Sequence, residues 1–166
     1  MLAYNVFDTA WGAFGYVADG AALVATYLPG LTKAKLQRRI RNSYPGISPV
    51  ADLLPRFERQ VRRYFDGGPA RFDEPIDLSG VTPFRAQVLR ACRRIPYGKT
   101  TSYADLARAV GRARAGRAVG STMATNPLPL VIPCHRVLRA DGGLGGFSSP
   151  PGVDQKRRML ELEAGR

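Results

Sequence analysis

Apolar and polar side chains alternate through the first thirty residues, and a helical spacing takes over after them, so strands are predicted first and helices later. YNVFDT (4–9), GAFGYVA (12–18) and ALVATYL (22–28) read as a small antiparallel sheet, with Trp11-Gly12 and Asp19-Gly20 as its turns. Thr32 is placed to cap a helix running to Arg41, with Leu36 and Ile40 one turn apart. A second helix is predicted over Leu53–Phe65, where Leu53, Leu54, Phe57, Val61, Tyr64 and Phe65 share one face and Gly67-Gly68 ends the run. Their spacing makes these aromatics core rather than a cofactor box. GGPARFDEPIDLSG (67–80) is rich in Gly, Pro and Asp and marks a domain boundary, with Phe72–Leu78 a last strand or an ordered linker.

Beyond the boundary the reading is mainly helical. Thr82-Pro83 is an N-cap followed by proline at the first helical position, and Phe84, Val88, Ala91, Cys92 and Ile95 form one apolar face before Pro96 stops it. Cys92 on that stripe reads as core. Ser102 with Asp105 opens another helix that ends at Gly111, and after the basic turn RAR a third short helix spans Ala115–Thr125. Two short helices across a tight turn look like a helix-turn-helix. LPLVIP then reads as extended, Val137–Leu144 as a short hairpin, GGFSSPPG as a loop able to close over a pocket, and Val153–Ala164 as a final helix with Met159, Leu160 and Glu163 on one face. The expected organisation is two domains, 1–78 and 79–166.

Charge sharpens this division. The net +12 is uneven: residues 1–78 carry ten Lys/Arg against eight Asp/Glu, and residues 79–166 carry fifteen against five. A nearly neutral half joined to a strongly basic one predicts that the second half meets a polyanion. With two cysteines and one histidine, no four-ligand Cys/His zinc site is possible, and the thiols are read as free in a reducing compartment. The N-terminus lacks the basic and apolar regions of a signal peptide, and no apolar run approaches a membrane span, so a cytoplasmic protein is expected.

Candidate chemistry centres on VIPCHRV, which sets Cys134 beside His135, the chain's one histidine. A thiol near an imidazole is lowered toward the nucleophilic thiolate. In an extended segment, however, neighbouring side chains point to opposite faces, so contact between the two needs a local turn or a bridging water. The bland alternative is a buried small hydrophobe beside an ordinary histidine. Glu163 shares a helix face with apolar residues, where an acid needs a partner such as His135 or else frays at the helix end. The Ala115–Thr125 helix is stripped of bulk by Gly116, Ala118, Gly120, Ser121 and Ala124, with Arg117 its one long charged side chain. Either another helix packs closely against it or it lies against DNA.

IPYGKTTSYADLA (95–107), GRAVGSTMATNPLPLVIPCHRV (116–137) and KRRMLELE (156–163), in this order and spacing, resemble the O6-alkylguanine-DNA alkyltransferases, the methylated-DNA–protein-cysteine methyltransferases. The likeness covers residues 82–165; residues 1–78 match only in layout. It implies an RNase H-like α/β domain joined to a mainly α, winged-helix-like domain with a helix-turn-helix. It implies that Cys134 accepts the alkyl group, His135 activates it through a water, Glu163 orients His135, Asn126 holds the turn and Tyr103 donates to a flipped guanine. Arg117 would fill the vacated space in the duplex, with Ala118, Gly120, Ser121 and Thr122 continuing the DNA-facing helix. Met123, Pro129, Val137, Phe147 and Ser148 would line the pocket. The sequence departs from the family at Phe147-Ser148-Ser149-Pro150-Pro151, where many members have Tyr-Ser-Gly-Gly, and about two extra residues precede the last helix. The implied activity is single-use repair of O6-alkylguanine in double-stranded DNA by a monomer without cofactor or metal. O4-alkylthymine repair and cooperative binding along DNA stay open.

The chemistry fits these residues on its own terms. Displacing guanine from an sp³ carbon suits a soft thiolate, and a phenol such as Tyr103 can supply the proton that lets guanine leave neutral. The target base must first be rotated out of the stack. Two other classes compete: a DNA-binding lesion sensor, which would not need Cys134, and a cysteine hydrolase, which would hold the imidazole against the thiol and would not need the basic helices.

Overall fold

The computed structural model describes residues 1–146, 149 and 151–165. It divides into two compact units, Met1–Asp77 and Leu78–Arg166.

In the first unit β1 (Leu2–Thr9), β2 (Gly12–Asp19) and β3 (Ala22–Tyr27) form an antiparallel meander. A two-residue β4 (Ser48–Pro49) adds to β1 in parallel, giving the order β3-β2-β1-β4. Helix α1 (Lys33–Ser43) starts where expected, because the Thr32 side chain accepts from Lys35 N. It buries Leu36 and Ile40 against Tyr4, Val6, Val17 and Ala25. The close approach needs glycine at position 15, where a β-carbon would stand 3.0 Å from Ile40 Cδ1 and 3.1 Å from Leu36 Cδ2. Helix α2 (Pro55–Phe65) supplies Phe57, Val61, Tyr64 and Phe65 to an aromatic core with Phe7, Phe14 and Tyr16. It begins two residues later than the periodicity suggests. Proline disfavours helical backbone in the residue before it, and Leu54 accordingly sits at φ −130°, ψ 80°. Of the two linker readings, the structure gives the ordered linker: Ile76 forms a single parallel bridge with Leu23, through Leu23 N to Pro75 O and Asp77 N to Leu23 O, both 2.8 Å.

The second unit is built from α3 (Pro83–Arg93), α4 (Tyr103–Ala109), α5 (Gly116–Ala124) and α6 (Val153–Glu163). Thr82 and Ser102 cap α3 and α4 by accepting from Arg85 N and Asp105 N. The predicted 137–144 hairpin does not form. Val137–Leu138 (β6) instead pairs in parallel with Thr101–Ser102 (β5), and the Asp141-Gly142 turn is closed by Arg139 N to Gly143 O at 2.8 Å without a returning strand. The apolar run before Cys134 is not extended either. Ile132 N bonds Leu128 O, Pro129 bridges Ile132, and Leu130 takes φ +77°, a conformation costly for a bulky residue and held by its surroundings. No described helix is long and apolar enough to cross a membrane.

Candidate functional site

The turn over residues 126–136 is assembled by one side chain. Asn126 Nδ2 donates to Ile132 O at 2.8 Å and its Oδ1 accepts from Leu128 N at 2.9 Å, so both ends of the amide fix the loop. Ile132 O also accepts from Cys134 N at 2.8 Å, and Arg136 N donates to Pro133 O at 2.9 Å to close a single 3-10 turn, Cys134–Arg136. Cys134 thus lies in a local turn rather than in an extended strand. The turn buries Cys134, His135 and Arg136 together, and His135 has no exposed surface at all.

Glu163 on α6 gathers this turn. His135 Nε2 hydrogen-bonds Glu163 Oε2, while Arg136 Nε donates to Oε1 at 2.7 Å and Gly98 N donates to the same oxygen at 3.0 Å. Arg136 Nη1 reaches on to Ile95 O at 2.8 Å. Glu163 is therefore an anchored acid and not a fraying helix end. Burial pushes its carboxyl up, but the hydrogen bonds and charges of His135 and Arg136 outweigh burial and hold it at about 2. Burial lowers the His135 value, against the pull of Glu163, which favours neutral imidazole donating through Nε2.

Cys134 departs from the expectation of a lowered thiol. Burial raises it above the ordinary value, and the Asn126 side chain, the charge of Lys156 and the backbone N–H groups of Cys134 and His135 pull it only part of the way back. The imidazole is turned to Glu163, which is why adjacency in sequence does not translate into an ion pair with the thiol. Cys92 is a buried free thiol on α3, as its place on the apolar stripe predicts.

Lys156 was not foreseen. Its side chain is 1% exposed, and Nζ donates to Val137 O at 2.7 Å and makes a long 3.5 Å contact to Tyr103 Oη. Burial lowers its value, and burial raises that of Tyr103. The signal was available: Lys156, Met159 and Glu163 recur at helical spacing, and all three face inward from α6, whereas the predicted Leu160 is only partly buried. Gly145 closes over Tyr103, since a β-carbon there, at φ +70°, would stand 2.7 Å from Oη. Arg136, the other missed residue, gave no more sign than a basic position between buried neighbours.

On α5, Arg117, Ala118 and Ser121 are exposed and Gly120 is partly so. Thr122 is not on this outer face. It is 1% exposed, and its hydroxyl donates to Ala118 O at 2.8 Å, because Val119, Thr122 and Met123 share the inward side of the helix. Arg85 of α3 clamps the outer side, with Nη1 donating to Thr125 Oγ1 at 3.1 Å and Nη2 to Ser121 Oγ at 3.3 Å. Met123 and Val137 are buried and Pro129 partly so, while Phe147 and Ser148 lie outside the described residues. Among the described residues, no three His, Cys, Asp or Glu side chains gather in a way that could hold a metal.

The chain is similar to known proteins. The family description "6-O-methylguanine DNA methyltransferase, DNA binding domain" matches residues 83–165. The chain is 43% identical over 107 residues to the methylated-DNA–protein-cysteine methyltransferase of Mycobacterium tuberculosis, covering 64% of this chain and 63% of that protein. It is 38% identical over 152 residues to the bifunctional transcriptional activator/DNA repair enzyme Ada of Escherichia coli, covering 89% of this chain and 42% of Ada. The matched chain thus spans less than two thirds of these relatives. In three dimensions it is similar to Mycobacterium tuberculosis OGT in complex with DNA, with a TM-score of 0.84, 33% identity, and 98% of this chain and 92% of that chain covered.

Proposed function

Because the chain belongs to the 6-O-methylguanine DNA methyltransferase family, we propose that it repairs duplex DNA by moving the alkyl group of O6-alkylguanine irreversibly to Cys134. The observation that carries this reading is the buried pair of Glu163, on α6, with His135, which lies in the same turn as Cys134. Glu163 engages Nε2, so the exchange of a proton with Cys134 falls to Nδ1, the other ring nitrogen, through a bridging water. The thiol loses its proton to His135, sulfur attacks the alkyl carbon, and the carbon–O6 bond breaks with its electron pair on guanine. Tyr103 supplies a proton so that guanine leaves neutral. The ammonium of Lys156 beside Oη stabilises the phenolate that this step creates, and Gly145 keeps the hydroxyl covered. A thioether has no leaving route under these conditions, so each molecule acts once.

The DNA-handling part of the reading is supported by the α4–turn–α5 pair, taken as a helix-turn-helix of winged-helix-like character. Exposed Arg117 stands at the start of α5, where it fills the space left by the flipped nucleotide. Ala118, Gly120 and Ser121 let phosphates approach the helix. Asn126 holds the active turn, and Met123, Pro129 and Val137 wall the pocket. The β1–β2–β3 meander with α1 and α2 supports an RNase H-like reading of the first unit. The protein is read as a cytoplasmic monomer.

Single-turnover transfer at saturating protein tests the reading on two substrates, a duplex carrying O6-methylguanine and free O6-benzylguanine. Arg117→Ala should lose at least about tenfold in rate on the duplex and little on the free base, because only the duplex requires flipping. Arg117→Lys should recover part of the duplex rate. Equal losses on both substrates would remove Arg117 from the flipping role and make it part of the pocket.

A further inference from the structure

The first unit carries a charge feature that the repair reading leaves unused. Helix α1 reads KAKLQRRIRNS and contains five basic residues and no acidic one. Leu36 and Ile40 occupy its buried face, and Lys33, Lys35, Arg38, Arg39 and Arg41 are all exposed. Arg41 reaches Tyr4 Oη at 3.2 Å. Among the described residues none of the other four forms an ion pair.

This composition works against the helix twice. Lys35 lies three and four residues before Arg38 and Arg39, and Arg38 lies three before Arg41, so like charges face each other along one side. Lys33 and Lys35 also occupy the first turn, where the helix dipole favours anions and α1 has none. A general excess of arginine does not explain the feature, since two of the chain's four lysines are here. An external polyanion would relieve both repulsions. From Lys33 to Arg41 the helix runs about 12 Å, over which a duplex presents about seven phosphate charges.

The surroundings choose among polyanions. A membrane-surface helix needs apolar side chains free to enter the interface, but Leu36 and Ile40 are committed to the core. Binding of single strands relies on exposed aromatic rings, whereas Tyr4 is buried in that same core and Tyr27 and Tyr44 pack against it. We propose that Lys35, Arg38 and Arg39, on the face of α1 opposite Leu36 and Ile40, form a second DNA-docking surface, one that takes the phosphate backbone of duplex DNA without regard to sequence or lesion. The inference goes beyond the assignment of Cys134 chemistry and rests on that reading only for the presence of DNA as partner.

The test is fluorescence anisotropy on a lesion-free duplex over a salt series, with the full chain. The variant Lys35→Gln/Arg38→Gln/Arg39→Gln should bind at least about tenfold more weakly at low salt, with a log K against log salt slope shallower by about 0.9 for each phosphate that is no longer neutralised. The charge-preserving variant Lys35→Arg/Arg38→Lys/Arg39→Lys should bind like the wild type, which separates charge from damage to the fold. Both variants should alkylate from free O6-benzylguanine at the wild-type rate. Unchanged affinity and slope in the neutralised variant would overturn the proposal, as would an equal loss in the charge-preserving one. A loss confined to phosphatidylserine vesicles or to RNA, with duplex binding intact, would also overturn it. Failure of the wild type to become alkylated would remove the repair reading instead, leaving the binding comparison to stand by itself.

Discussion

Glu163 accepts from His135, Arg136 and the backbone of Gly98 at once, and this concentration of partners on one carboxylate determines what its loss does. Glu163→Gln removes the charge that compensates buried Arg136, so it should destabilise the fold by about 3 kcal/mol, measured by urea denaturation. It should also slow alkyl transfer, because His135 loses the group that fixes its tautomer and orientation. The raised Cys134 thiol predicts that alkylation of the free protein by a small electrophile such as iodoacetamide keeps accelerating as pH rises past the ordinary thiol range. Lys156→Met should move that profile further upward and slow transfer roughly tenfold, since it removes a charge that favours the thiolate and the partner of Tyr103. An unchanged profile would make Lys156 a space-filling residue. Cys134, His135 and Glu163 were legible because few residue types can do this chemistry and the family motifs mark them. The direction of the Cys134 shift was not, because it depends on burial and on where the imidazole points, and neither is written in a dipeptide.

Among the elements, α5 is the one whose own sequence supports it least. It contains Gly116 and Gly120, has no side-chain N-cap and no acidic residue in its first turn. Its position relies on inward Val119, Thr122 and Met123 and on the Arg85 fork to Ser121 and Thr125. Arg85→Ala should cost about 1 kcal/mol of stability by denaturation and weaken duplex binding, with little effect on free O6-benzylguanine. The same distinction separates well-read elements from misread ones. Helices α1, α3 and α4 were placed correctly from Thr32, Thr82 and Ser102, whose caps are local chemistry. The stretch before Cys134 was misread as extended because its turn is imposed by Asn126 from outside the apolar run, and nothing in Leu130 itself announces a positive φ. The hairpin was misread for a related reason: the partner of Val137–Leu138 lies 36 residues back, at Thr101–Ser102.

Across the molecule, charge asymmetry and the Gly- and Pro-rich boundary were visible in composition, whereas the uncompensated charge of α1 was hidden by the near-neutral sum of its half of the chain. Acid stability follows from the buried relay. Glu163 is held at about 2 against an ordinary 4.5, so the unfolded chain takes up a proton that the folded chain does not, and stability falls as pH drops from about 5 toward 2. Buried His135 acts in the same direction from just below its ordinary 6.5, because the folded state disfavours imidazolium. Urea midpoints should therefore be level near pH 7 and decline on acidification, with a flatter profile for Glu163→Gln between pH 5 and 2. A wild-type profile level from pH 7 to 3 would contradict this account of the relay. The central claim, that Cys134 takes an alkyl group from DNA once and keeps it, is tested most directly by intact mass spectrometry after incubation with one equivalent of duplex containing O6-methylguanine. The account predicts a single added methyl group, located on Cys134 by peptide mapping, with none on Cys134→Ala. Repeated conversion of substrate by a protein whose Cys134 stays unmodified would contradict it.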